Sequence, residues 1–67
     1  MALLAYQQRV VNECNELNDR IASLEQFILS AAFSEVNINE QVLLQAQFRV
    51  MQSYAVIMAG RIERFPK

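Results

Sequence analysis

The sequence contains no histidine and no tryptophan, and a single residue each of cysteine, glycine and proline. Each shortage excludes something. Without histidine there is no Ser-His or Cys-His pair to generate a nucleophile. Cys14 has no partner for an intrachain disulfide and cannot build a zinc site unaided. One glycine, Gly60, cannot make a glycine-rich phosphate loop. The carboxylates are spread along the chain, and Glu13, Glu16 and Asp19 come nearest to a cluster. Their spacing of i, i+3 and i+6 is also that of an ordinary solvated helix face. Neither catalysis, nor a metal, nor a cofactor is expected.

Long apolar runs are missing as well. The run Tyr54 to Ala59 is six residues, against about 20 for a membrane span. The opening Met-Ala-Leu-Leu-Ala-Tyr lacks a basic segment and a long apolar core, so no signal peptide is expected. A free Cys14 suits a reducing compartment, which points to the cytoplasm. A basic excess is also lacking. The net charge is -1, and no basic cluster precedes either helical stretch, so DNA binding is not expected.

What the chain does have is apolar content, 54% of 67 residues. Soluble domains average roughly 45–50%. A single domain over 1–67 is too small to bury much of this alone. With disulfide and metal excluded, oligomerisation is the remaining route to stability.

The scarcity of glycine and proline favours long helices. The one stretch rich in cap formers is Ser34 to Asn39. Asn37 with Glu40 resembles a capping box, and Asn39 is an alternative cap, with Ile38 and Leu43 spaced as a hydrophobic staple. The expected helices are about 3–32 and 38–64. Leu3, Gln7, Val10, Cys14, Leu17, Ile21, Leu24, Ile28 and Ala31 step by threes and fours, as do Leu44, Phe48, Met51, Ala55, Met58, Ile62 and Phe65. Both series read as coiled-coil-like seams. A short connection makes the helices antiparallel neighbours.

Facing residues in an antiparallel hairpin have a constant index sum. Val10 with Ile62, Cys14 with Met58, Leu17 with Ala55, Ile21 with Met51, Leu24 with Phe48, and Ile28 with Leu44 all sum to 72. Beside that seam, Glu13 with Arg61 and Glu25 with Arg49 sum to 74 and are expected to bridge the helices. Charge is divided to match. Residues 1–40 carry two basic and six acidic side chains, and residues 41–67 carry four and one.

The second helix has a further apolar stripe, Leu43, Val50, Tyr54 and Ile57, with Val42, Ala46 and Val56 nearby. One partner helix cannot cover both faces. Leu4 and Val11 widen the first helix at one end, and Phe27 and Leu29 at the other. Apolar patches of this extent mark interfaces. The expected interface residues are therefore Val11, Leu43, Val50, Tyr54 and Ile57. The expected assembly is a homo-oligomeric helical bundle, either two hairpins or a larger ring.

One flank has binding chemistry. Gln47, Tyr54 and Arg61 step by seven, and Arg20 faces Tyr54 at an index sum of 74. An arginine beside a tyrosine, with an amide nearby, suits a planar anionic ligand through stacking and charge-assisted hydrogen bonds. The competing reading makes Tyr54 an interface aromatic with a polar rim. Tyr6, Arg9 and Arg64 form a second possible patch at the open end, or simply a frayed polar end.

The pattern Leu17, Arg20-Ile21, Leu24, Phe27-Ile28, Ser30, Phe33, Val36, Gln41, Leu43-Leu44, Gln47, Met51, Tyr54 and Arg61-Ile62 resembles a family of small phage and prophage proteins. That family is named after an uncharacterised open reading frame of a crAss-like phage. The resemblance covers about residues 9–64 and implies a hairpin fold in a phage context, hence the cytoplasm of a bacterial host. In size and architecture the chain is also similar to phage hairpins that oligomerise and sequester nucleotide signals of bacterial immunity, although their motifs are not visibly present. By analogy it implies an anti-defence sponge for a small anionic nucleotide signal. The other expectation is a protein-interaction module that docks Leu43, Val50 and Ile57 on a host or phage protein.

Overall fold

The computed structural model describes residues 3–65. Met1 and Ala2 of the N-terminal stretch, the lone Pro66 and the charged Lys67 lie outside those residues. Helix α1 spans Ala5–Ile28, a 3-10 turn follows at Ala31–Glu35, and helix α2 spans Ile38–Glu63. This is the all-α antiparallel hairpin expected from the two seams.

Helix α1 is shorter than the expected 3–32 at both ends. At its start, the Leu4 N–H donates to Gln7 Oε1 at 2.8 Å, so the side chain reaches back to a backbone donor that the helix leaves free. At its end, the Phe27 carbonyl accepts both the Ser30 N–H at 3.0 Å and the Ser30 hydroxyl at 2.6 Å. The Ser30 backbone then turns extended, with ψ at 160°. Phe33 is buried and meets Phe27 edge to face, with centroids 5.8 Å apart. Burying an aromatic ring outweighs the modest helix preference of Ala31 and Ala32. Ala31, expected on the inner seam, therefore lies exposed in the turn.

Helix α2 starts where the cap formers are. Asn37 is the cap, and its Oδ1 accepts the Asn39 N–H at 2.9 Å. Asn39 is thus the donor and not the alternative cap. Ile38 and Leu43, the staple that would accompany an Asn39 cap, are both exposed. Gln41 Nε2 donates to the Val36 carbonyl at 2.8 Å and ties the turn to the first coil of α2.

The register is the one with an index sum of 72. All twelve residues of those six pairs are buried or half-buried. Met58 is fully buried and packs with Val10, Cys14 and Leu17. Ile21, Met51, Ala55, Ile62 and Phe65 close around them. Cys14 behaves as a small buried hydrophobe, and its sulfur accepts from Asn18 Nδ2 at 3.8 Å. Gln7 occupies its seam slot as a buried polar residue.

One seam is a thin core. The molecule measures 49 × 15 × 15 Å, with a radius of gyration of 15.3 Å. A compact chain of this length would have a radius near ~11 Å. Its accessible surface is 5220 Å², against roughly 4,300 Å² for a globular monomer of this mass. The two helices expose different surfaces. The outer face of α1 is almost wholly polar, from Gln8 and Arg9 to Gln26, whereas α2 exposes Val42, Leu43, Val50, Val56 and Ile57.

Candidate functional site

The hairpin register places Tyr54 and Arg61 two turns apart on one flank of α2, between the buried seam and the outer apolar face. Tyr54 is about 40% exposed. Its hydroxyl donates to Glu13 Oε1 on α1 at 2.7 Å, a side-chain link that crosses between the helices. This contact raises the Tyr54 pKa above its ordinary value of 10.0. The hydrogen bond to Glu13 is the largest cause, followed by desolvation and the carboxylate charge, while the Arg61 charge pulls the other way. Glu13, Tyr54 and Arg61 therefore form one electrostatic unit. A carboxylate accepts the tyrosine's hydrogen bond and so keeps its proton in place, and a cation on the same flank favours its loss.

The expected four-residue patch is only partly assembled. Tyr54 and Arg61 are together. Arg20, expected beside Tyr54, is not the residue its hydroxyl reaches, because that bond goes one heptad nearer the open end. Gln47 turns along its own helix, and its Nε2 donates to Met51 Sδ at 3.8 Å. The anticipated bridge from Glu13 to Arg61 is replaced, since the Glu13 oxygen accepts from Tyr54. A constant index sum fixes which backbones are adjacent. It does not fix which of several long side chains wins a shared partner. Glu13 is thus the site residue that sequence reasoning assigned elsewhere. The available signal was its position exactly one heptad before Arg20 on the same face.

At the open end, Tyr6 packs its ring edge to face on Phe65, with centroids 6.1 Å apart. Tyr6 is a clasp between the helices there, and the possible Tyr6, Arg9 and Arg64 patch loses its aromatic to that contact. Of the expected interface residues, Val11 is half-buried on α1. Leu43, Val50 and Ile57 are 64%, 68% and 60% exposed. Among the described residues there is no pocket, no group of three or more side chains suited to a metal ion, and no helix long and apolar enough to cross a membrane.

Comparison with known proteins places the chain in a family. The Sequestin family model matches residues 4–64. A relative from Enterobacteria phage T4, described as an uncharacterized 7.5 kDa protein in the denB-rIIB intergenic region, is 44% identical over 63 residues. The match covers 94% of this chain and 98% of the relative. No solved structure matches significantly. The chain belongs to the Sequestin family, and its phage relative agrees with the phage context implied by the residue pattern.

Proposed function

We propose that this Sequestin-family chain works by binding and not by catalysis. Copies of the hairpin assemble in the host cytoplasm and hold a small anionic, nucleotide-type immune signal, which would make the protein an anti-defence sponge. The family name, which denotes sequestration, is the observation that carries this reading. Two features of the chain agree with it. Tyr54 and Arg61 offer a half-exposed ring and a cation on one flank, a combination suited to stacking on a base and pairing with a phosphate. A lone hairpin without a pocket among its described residues needs further copies to surround a small ligand, because binding sites are concave.

The test is a thermal-shift panel of cyclic mono- and dinucleotides and ADP-ribose derivatives. A bound ligand at a hundred times its Kd stabilises by about 2.7 kcal/mol, which shows as a rise of several degrees. Arg61→Ala is expected to remove the rise while leaving the unliganded melt in place. If no compound in the panel shifts the melt, the sponge reading is wrong.

A second reading is favoured by the exposure of Leu43, Val50 and Ile57, which suits docking on a host or phage protein. It requires those residues to be free in the isolated chain. Mass in solution separates the two readings, because an assembly that buries the stripe leaves nothing for a foreign partner.

A further inference from the structure

The outer face of α2 has a heptad pattern of its own. Leu43, Ala46, Val50, Ser53, Ile57 and Gly60 step alternately by three and four, roughly opposite the seam that meets α1. All six are exposed in the hairpin. Large residues alternate strictly with small ones, and no charged residue interrupts the series. From this we infer that the face pairs with the same face of a second copy, antiparallel, about a two-fold axis between Val50 and Ser53. The inference rests on the self-assembly half of the reading above and is independent of the ligand.

The geometry is self-complementary. With an index sum of 103, Leu43 faces Gly60 of the second copy, Ala46 faces Ile57, and Val50 faces Ser53. Every large side chain then meets a small one, which is how layers interdigitate without voids. A parallel, in-register pair stacks large on large and small on small. It also sets Arg64, four residues beyond Gly60 on the same face, against its own copy. The antiparallel pair instead brings Glu40 beside Arg61 at the rim, at an index sum of 101, so charge favours the same orientation.

Two details fit this pairing. Gly60 lies inside α2 with a negative φ, and a Cβ built there would have open space around it. Glycine is the poorest helix former except proline, so neither a turn nor a close intrachain contact accounts for it. A neighbouring helix packed close at Leu43 does account for it. Ser53 donates its hydroxyl to the Arg49 carbonyl at 3.2 Å. Its proton is satisfied within the helix, so Ser53 can be covered by a valine without leaving a buried donor unpaired.

The test is disulfide trapping of the full chain in a glutathione redox buffer, read on non-reducing gels, with the unsubstituted chain as control for Cys14. Residues 43 and 60 lie about 26 Å apart along one helix at 1.5 Å per residue. A chain carrying Leu43→Cys and Gly60→Cys therefore cannot close on itself. It links two copies through positions 43 and 60 in the antiparallel register, and through like positions in a parallel one, where Val50→Cys alone would link as well. It is expected to trap as a dimer, whereas Val50→Cys alone is expected to stay monomeric on the gel. Trapping of Val50→Cys alone, or no trapping of the double variant, overturns the register. A second variant, Gly60→Leu, fills open space in the hairpin but collides with Leu43 of the partner. It is expected to shift the mass by light scattering from an even multiple of the protomer to a monomer. An unchanged mass overturns the interface. If the unsubstituted chain is oligomeric but the double variant fails to trap, this pairing alone is removed, and a monomeric unsubstituted chain removes the assembly as a whole.

Discussion

Truncating Met58 to alanine tests the hairpin at its centre. Met58 is the one fully buried side chain among the described residues, enclosed by Val10, Cys14 and Leu17. The change deletes three heavy atoms and leaves a cavity between two helices that have no other layer to collapse onto them. Buried methionine to alanine costs about 2–5 kcal/mol. The whole chain, at roughly 0.05–0.15 kcal/mol per residue, has only about 3–10 kcal/mol to lose. Met58→Ala is therefore expected to remove about a fifth of the stability at least, and to leave the chain largely unfolded at the lower end of that range. Urea melts followed by far-ultraviolet circular dichroism measure this. Variants must be compared at one protein concentration, because association adds to apparent stability. The matched control is Leu29→Ala, a leucine that is 79% exposed and whose truncation should cost less than about 0.5 kcal/mol. If Met58→Ala melts within about 1 kcal/mol of the unsubstituted chain, or no lower than Leu29→Ala, the seam described here is not the core.

Other perturbations probe the flank and the turn. Tyr54 is expected to titrate above 10.0 because Glu13 holds its proton. Glu13→Ala should lower that value, and Arg61→Ala should raise it further, as read by ultraviolet difference titration against Tyr54→Phe; no change with Glu13→Ala would contradict the contact. The folded chain binds this proton more tightly than the unfolded chain, so the contact stabilises the hairpin fully below pH 10. Its contribution is lost as pH rises through the raised folded value. Asn37→Ala removes the α2 cap and should cost about 1 kcal/mol in the same urea melts, with Asn37→Asp restoring most of it. Equal losses from both substitutions would show that the side-chain bond to Asn39 contributes nothing.

The register was legible because it depends on simple properties. Apolar residues at three- and four-residue steps define a helix face, and two such faces in one short chain align in few ways. Position 31 was not legible in the same sense. Ala31 and Ala32 suit a helix, and no glycine or proline interrupts them. What ends α1 is a serine bonded back to Phe27 and the burial of Phe33, which is a tertiary gain invisible to local propensity. The partner of Tyr54 was not legible for a related reason. Arg20, Glu13 and Arg61 are all long side chains within reach of the same flank, and only their relative positions in space select Glu13 as the Tyr54 partner. The stripe on α2 was visible throughout as residue types. The exposures show that α1 leaves it uncovered, and the interface proposed for it rests on that.

The placement of the tightest packing also governs the order of folding events. Along the seam, the sequence separation grows from 16 residues at Ile28 and Leu44 to 52 at Val10 and Ile62. The fully buried cluster around Met58 lies toward the far end of that series. Closing the longer loop costs about 1 kcal/mol more chain entropy than closing the shorter one. A zipper that started at the turn would gain its loosest contacts first and its best ones last. The chain therefore has little to gain from stopping halfway, and the hairpin should form as a single cooperative event. When it opens locally, the loop-proximal helix ends should exchange their amide hydrogens before the segment around Met58, despite being covalently tethered. Fastest exchange around Met58 would show that the tether, and not the packing, sets the order.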